Sequence, residues 1–199
     1  MTVTTTVKRL TFDEALEVVE MGGAFVDLRP TAAYLDAHVP GALDVVYESG
    51  PGMSTRARDC LPLSIPYVLL DLGHGDLSLA AAALRGKGFS VVGSVQDGLN
   101  QWAAKGRRIA STEIVTGETA PPGTVLHVAD PGAKVPEEAV QIPADDLWPR
   151  CDELDRANPV VVVAGWGVRA GLAIGILERN GFEDVVMWRP GGGHRGGSV

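Results

Sequence analysis

Residues 67–102 read "YVLLDLGHGDLSLAAAALRGKGFSVVGSVQDGLNQW", and residues 160–195 read "VVVVAGWGVRAGLAIGILERNGFEDVVMWRPGGGHR". A constant offset of 93 superimposes the two stretches without a gap. It sets Asp71 on Ala164, Leu84 on Leu177, Gly88-Phe89 on Gly181-Phe182 and Gly98 on Gly191. Self-similarity at a fixed offset marks a duplicated supersecondary unit. In each copy an apolar run ends on a glycine-bearing turn, then come a helix-forming stretch, a Gly-Phe stop and a second apolar run. "LSLAAAALRGKG" joins strong helix formers to glycines suited to a left-handed C-terminal cap, and "GLAIGILERNG" ends on Asn-Gly for the same reason. Strand–helix–strand units of this kind build parallel sheets covered by helices. The expected fold is α/β: two tandem domains, each a mostly parallel sheet flanked by helices on both faces.

The upstream halves correspond less closely. "AFVDLRPTAAYLDAHVPGALDVV" (24–46) predicts a strand ending at Asp27, a small helix around Tyr34 and a His38-Val39-Pro40-Gly41-Ala42 turn. "TVLHVADPGAKVPEEAVQIPADDLW" (124–148) predicts a strand ending at Asp130 and only a short connection after it. The second copy is thus about ten residues shorter over this part and lacks the small helix and its turn. Residues 6–106 are assigned to the first domain and residues 123–199 to the second. Residues 107–122 are polar, with Pro and Gly, and are expected to be a surface linker.

Composition narrows the function classes. The 199 residues are 45% hydrophobic and 21% charged, enough apolar material for a core without staples. The net charge of −8 argues against a nucleic-acid footprint or a polybasic membrane patch, which need clustered Lys and Arg. The N-terminal stretch lacks the basic flank and apolar run of a signal peptide, and no apolar run approaches the ~20 residues of a membrane span. Cys60 and Cys151 offer neither a disulfide framework nor zinc-ligand spacing. The expectation is a cytoplasmic chain with no nucleic-acid or membrane partner.

"VDLRP", "Y…AHVPGAL", the strand–loop–helix, "GF" and "DGLNQW" together resemble the rhodanese superfamily over nearly the whole first domain. In the second domain the resemblance rests on "VVVVAGWGVRAGLA", "LERNGF" and "GGG", supported by the repeat. It implies a loop after the fourth strand similar to C-x-x-G-x-R-S, whose cysteine carries sulfane sulfur as a persulfide. Backbone N–H groups and the following helix N-terminus would lower the thiol pKa and cradle an anionic substrate, and the loop arginine would add a fixed positive charge. Carried over by residue, the first loop is Asp71, Leu72, Gly73, His74, Gly75 and Asp76. Asp71 fills the cysteine position, His74 that of glycine, Asp76 that of arginine and Leu77 that of serine. In the second loop Ala164 fills the cysteine position, followed by Gly165, Trp166, Gly167, Val168, Arg169 and Ala170.

A persulfide needs sulfur, so neither loop can run the family reaction as written. Two carboxylates a few ångströms apart would repel an anionic donor by ~1–4 kcal/mol at effective dielectrics between 80 and 20. Asp71 reads as the chain's own anion, filling the old cradle. The second loop keeps its glycines and Arg169, so the Gly165–Arg169 loop is a candidate small-anion site.

Cys60, in "MSTRARDCLPLSIP", stands near Arg56 and Arg58 and is either a relocated nucleophile or an incidental cysteine. Cys151 falls on a short acidic helix and is not a catalytic candidate. Asp71, His74 and Asp76 on one turn give only a weak metal signal, and an aspartyl nucleophile would need a cation that the loop lacks. Neither a metal nor a cofactor is expected. Asp27, Arg29 and His38 are expected to form a bracing network, and Trp102 to cover the sheet, its place in the second copy being taken by Arg195. The resulting reading is a sulfurtransferase homologue without its persulfide cysteine, a non-catalytic binding or regulatory module for a protein partner or a small anion. The alternatives are a divergent thiosulfate sulfurtransferase using Cys60 and a small-anion binder at the Gly165–Arg169 loop.

Overall fold

A capping box starts the first helix: Glu14 N donates to Thr11 Oγ1 at 3.2 Å, and Thr11 N donates to Glu14 Oε2 at 2.7 Å. The computed structural model describes residues 6–47, 52–71, 73, 77–129, 137–163 and 168–191. Its first half runs α1 (Phe12–Glu20), β1 (Ala24–Asp27), α2 (Thr31–Asp36), β2 (Leu43–Asp44), α3 (Gly52–Cys60), β3 (Pro66–Asp71), α4 (Leu77–Gly86), β4 (Ser90–Gln96) and α5 (Gly98–Ala104). The second runs β5 (Ile114–Gly117), β6 (Thr124–His127), β7 (Val140–Gln141), α6 (Ala144–Arg150), a 3₁₀ turn (Cys151–Glu153), β8 (Val160–Val163), α7 (Val168–Arg179) and β9 (Val185–Pro190).

Two sheets result, ordered β2-β1-β3-β4 and β5-β9-β8-β6-β7, and every strand pair in them is parallel. The fold is α/β, with two parallel sheets flanked by helices. The 93-residue offset is visible in the register. Val68, Leu69 and Leu70 face Gly93, Ser94 and Val95 in the first sheet, while Val161, Val162 and Val163 face Val186, Met187 and Trp188 in the second. The helix ends match as well. Gly88 and Gly181 take positive φ (95° and 85°), and the next residue, Phe89 or Phe182, donates its N–H to Leu84 or Leu177, each at 3.2 Å.

Two expectations need correction. Residues 114–117, placed in the linker, form edge strand β5 on β9. The first half holds the same contact in shorter form, an Arg9–Ser94 bridge with Ser94 N donating to Lys8 O, where the second half has Met187 N donating to Glu113 O. An edge strand needs an apolar face on one side only, so its polar composition resembles that of a loop. The strand expected to end at Asp130 ends at His127, and Asp130 itself lies outside the described residues. His127 pairs with Val163 as Asp27 pairs with Leu70, so His127 stands where the first half has Asp27.

One hydrophobic core runs through both halves, from Leu16 and Phe25 to Leu126, Val162 and Ile174. α7 is its centre. Residues Ala170–Leu177 are all buried, because the helix packs on β8, β9 and α6 of its own half and on β2 and α2 of the other. A smaller cluster of Val161, Val163 and Trp188 occupies the other face of the second sheet. Among the described residues no helix is long and apolar enough to cross a membrane.

Candidate functional site

The strand ends β1, β3 and β4 converge at one edge of the first sheet, where open parallel sheets place their sites. Asp71 ends β3, with Oδ2 3.6 Å from Arg9 Nη2 and Oδ1 3.4 Å from Gly73 N. Gly73 has φ +90°, a left-handed turn that releases the chain from the strand. Leu72, His74, Gly75 and Asp76 lie outside the described residues, as does most of any metal set built on Asp71, His74 and Asp76. A cavity of about 490 Å³ opens beside Asp71, lined also by Arg29, Gln96, Asp97 and Asn100.

Arg29 does not bring a spare positive charge to that cavity. Its Nε and Nη2 fork onto fully buried Asp27 at 3.0 and 2.6 Å, and Nη2 also donates to Ala37 O at 2.6 Å. This half of the expected bracing network is present. His38 does something else: it is fully buried, with Nδ1 2.8 Å from Tyr34 O and Nε2 3.0 Å from both carboxylate oxygens of Glu178 on α7. It ties the first half to the second. Trp102 covers the sheet as expected, edge-on to Phe25 at 6.4 Å, with its Nε1 donating to Arg108 O.

Of the second loop, Ala164, Gly165, Trp166 and Gly167 lie outside the described residues, while Val168 and Arg169 open α7. Arg169 lines a cavity of about 350 Å³ together with Gly52, Thr55, Arg56, Asp59, Cys60 and Asp145. Two candidates that the sequence kept apart, the thiol Cys60 and the cation Arg169, thus meet in one cavity between the halves. Burial pushes the Cys60 thiol up to about 11, Asp145 adding to the shift and Arg169 and Arg56 pulling it back. Such a thiol is protonated at neutral pH and is a poor nucleophile.

Cys60 ends α3, the helix before the central strand of its sheet, and Cys151 follows α6, the corresponding helix of the second half. α3 packs against α6. Burial pushes Cys151 up to about 11 too. Both cysteines therefore behave as small buried apolar residues in matching places. Sequence reasoning missed this pairing, and it missed Glu178, Asp44 and His127. A carboxylate inside the apolar run "ALDVV" was the available signal for Asp44. Burial lowers the pKa of His127.

Two parallel sheets flanked by helices, with a cavity at the strand ends of the first and another where Arg56 and Arg169 stand beside Asp59 and Asp145, define an α/β protein. Residues 11–105 match the family described as rhodanese-like domain. The Alr3790 protein from Anabaena sp. is 26% identical, at a TM-score of 0.43, over 51% of this chain and 81% of that one. Thiosulfate sulfurtransferase from Pseudomonas aeruginosa is 17% identical, at 0.43, over 94% of this chain and 41% of that one. The 3-mercaptopyruvate sulfotransferase SseA from Escherichia coli is 15% identical, at 0.42, over 92% and 98%. No curated protein sequence matches the chain.

Proposed function

We propose that the chain is a tandem pair of rhodanese-like units, the first within residues 6–106 and the second running from β5 (Ile114–Gly117) through β9 (Val185–Pro190), that binds a protein partner or a small anion instead of transferring sulfur. The observation that carries this reading is the state of its sulfur. The two family cysteine positions hold Asp71 and Ala164, and both thiols of the chain are buried and shifted toward the protonated form. The shared register of β3–β4 and β8–β9 supports the tandem assignment. Regulation through a partner that supplies the reactive thiol, in the cytoplasm, belongs to the same proposal. The test is incubation with thiosulfate and cyanide, followed by intact mass spectrometry. The reading expects no mass gain of one sulfur atom and no thiocyanate. Thiocyanate production that disappears in Cys60→Ser would establish a relocated nucleophile in its place.

A second reading, small-anion binding at the Arg169 end of the second loop, is favoured by the cavity in which Arg169 and Arg56 stand with Thr55. Ala164→Cys tests it. Persulfide formation from thiosulfate in that variant supports an intact cradle, and a thiol that stays unmodified counts against one.

A further inference from the structure

The two halves meet along a polar seam built by α7 and the end of β2. Asp44 closes β2, is 1% exposed, and accepts a 2.7 Å hydrogen bond on Oδ2 from Thr31 Oγ1. Its Oδ1 is buried with no hydrogen-bond partner among the described residues. The face of α7 laid over it offers no side chain: Gly171 stands there, and a Cβ at that position would fall on the Asp44 carboxylate. One turn on, Gly175 lies against Ala42 O and the Tyr34 hydroxyl. Further along, Glu178 accepts from Gly41 N at 2.8 Å and pairs with His38.

The charged and titratable groups around Asp44 are Asp27 from β1, Arg29 beyond it, Tyr34 from α2, His38 from the turn before β2 and, from α7, Glu178. The nearby basic groups are committed elsewhere, the Arg29 guanidinium to Asp27 and the His38 imidazole to Glu178. An ionised Asp44 would hold a full charge with one oxygen unsolvated, whereas the neutral acid lacks that cost.

We propose that this seam is a proton-controlled contact, in which α7 packs on the first half while Asp44 is protonated and loosens from β2 when the proton leaves. Burial pushes the Asp44 carboxyl up from the ordinary 3.8 to about 7; Thr31 opposes the shift, Asp27 reinforces it, and His38 and Arg29 oppose it. The native acid keeps its proton to higher pH than the unfolded chain does. Its stabilising contribution is therefore complete below about 3.8, declines as pH rises, and is gone above about 7.

The test compares hydrogen exchange of the α7 amides in the unaltered chain and in Asp44→Asn at matched pH, so that base catalysis of exchange cancels. At about pH 3.5 the two should protect α7 equally. At about pH 8.5 the α7 amides of the unaltered chain should exchange at least about tenfold faster than those of the variant, with β3 amides alike in both. Equal protection of α7 at every pH overturns the proposal, and so does an equal loss in α7 and β3, which would be a global effect. A carbon NMR titration of the Asp44 carboxyl in the unaltered chain decides the matter if the variant does not fold. A midpoint near 7 supports the proposal, and one near 4 overturns it.

Discussion

α4 and α7 are the same helix in two settings. They share the 93-residue offset, the Gly-Phe ending and the strand register on either side. Yet Leu79 on α4 is 63% exposed, while α7 is buried along eight consecutive residues. Ser78 and Ala82 of α4 correspond to Gly171 and Gly175 of α7. Ala82 faces solvent, whereas Gly175 lies against the backbone of the first half. A repeated local pattern therefore specifies the element, and its glycines specify which copy can be pressed between two sheets. Glycine costs helix propensity of roughly 1 kcal/mol each, so its presence twice on one face needs a packing reason, and close approach supplies it.

The largest effect should come from filling that approach. Gly175→Leu would drive a side chain into Ala42 O and Tyr34, and the chain should lose its cooperative unfolding transition or at least about 3 kcal/mol. Ala82→Leu, at the matching place on α4, should change stability by no more than about 0.5 kcal/mol. Thermal melts of both variants read the difference directly. Equal losses would mean that the seam is not the distinguishing feature of the second copy.

The paired cysteines come next. With thiols at about 11, only about one part in a thousand is thiolate at pH 8, so alkylation in the native state should be slow and rise about tenfold per pH unit. The two should behave alike because both are buried in matching places. A Cys60 that alkylates far faster than Cys151 would reveal that the cavity of Arg56 and Arg169 activates it, and would revive the relocated nucleophile.

The seam has a second, charged tie whose loss should cost less. Glu178→Gln removes the carboxylate facing fully buried His38 and should destabilise the chain by about 3 kcal/mol. Denaturant unfolding measures it. The corresponding residue on α4, Arg85, bonds among the described residues to Val91 O nearby, and Arg85→Gln should cost about 1 kcal/mol. Combining Glu178→Gln with His38→Gln should cost less than the sum, because the partners act as one unit.

Much of this frame is legible in the sequence because it is local or repeated. The Gly88 and Gly181 caps, the Val160–Val163 run and the strand before Asp71 each carry their signature within a few residues. The seam is not legible in the same way. Glu178 reads as a surface charge near a helix end, and Gly171 and Gly175 read as weaknesses. Their partners His38, Asp44 and Ala42 lie more than a hundred positions away, with no local trace of the contact. β5 was hidden for a different reason, since a strand paired on one side only is free to be polar. As for the candidate site, the sequence singles out Asp71 and Arg169 as candidates, but the meeting of Arg169 with Cys60 depends on how the two halves pack.

The smallest effect should be at Asp71, and it separates two kinds of carboxylate on one sheet edge. Asp27 and Asp71 end neighbouring parallel strands. Asp27 is fully buried and held in a fork by Arg29, so Asp27→Ala should cost at least about 3 kcal/mol. Asp71 pairs at 3.6 Å with an arginine that is itself 65% exposed, so solvent screens the contact, and Asp71→Ala should change stability by less than about 1 kcal/mol. A stability curve for each variant suffices. If Asp71→Ala proves costly, the carboxylate is a brace on which the turn after β3 depends. If it proves nearly neutral, folding does not explain the carboxylate at the end of β3, and the explanation has to come from what this edge of the sheet binds.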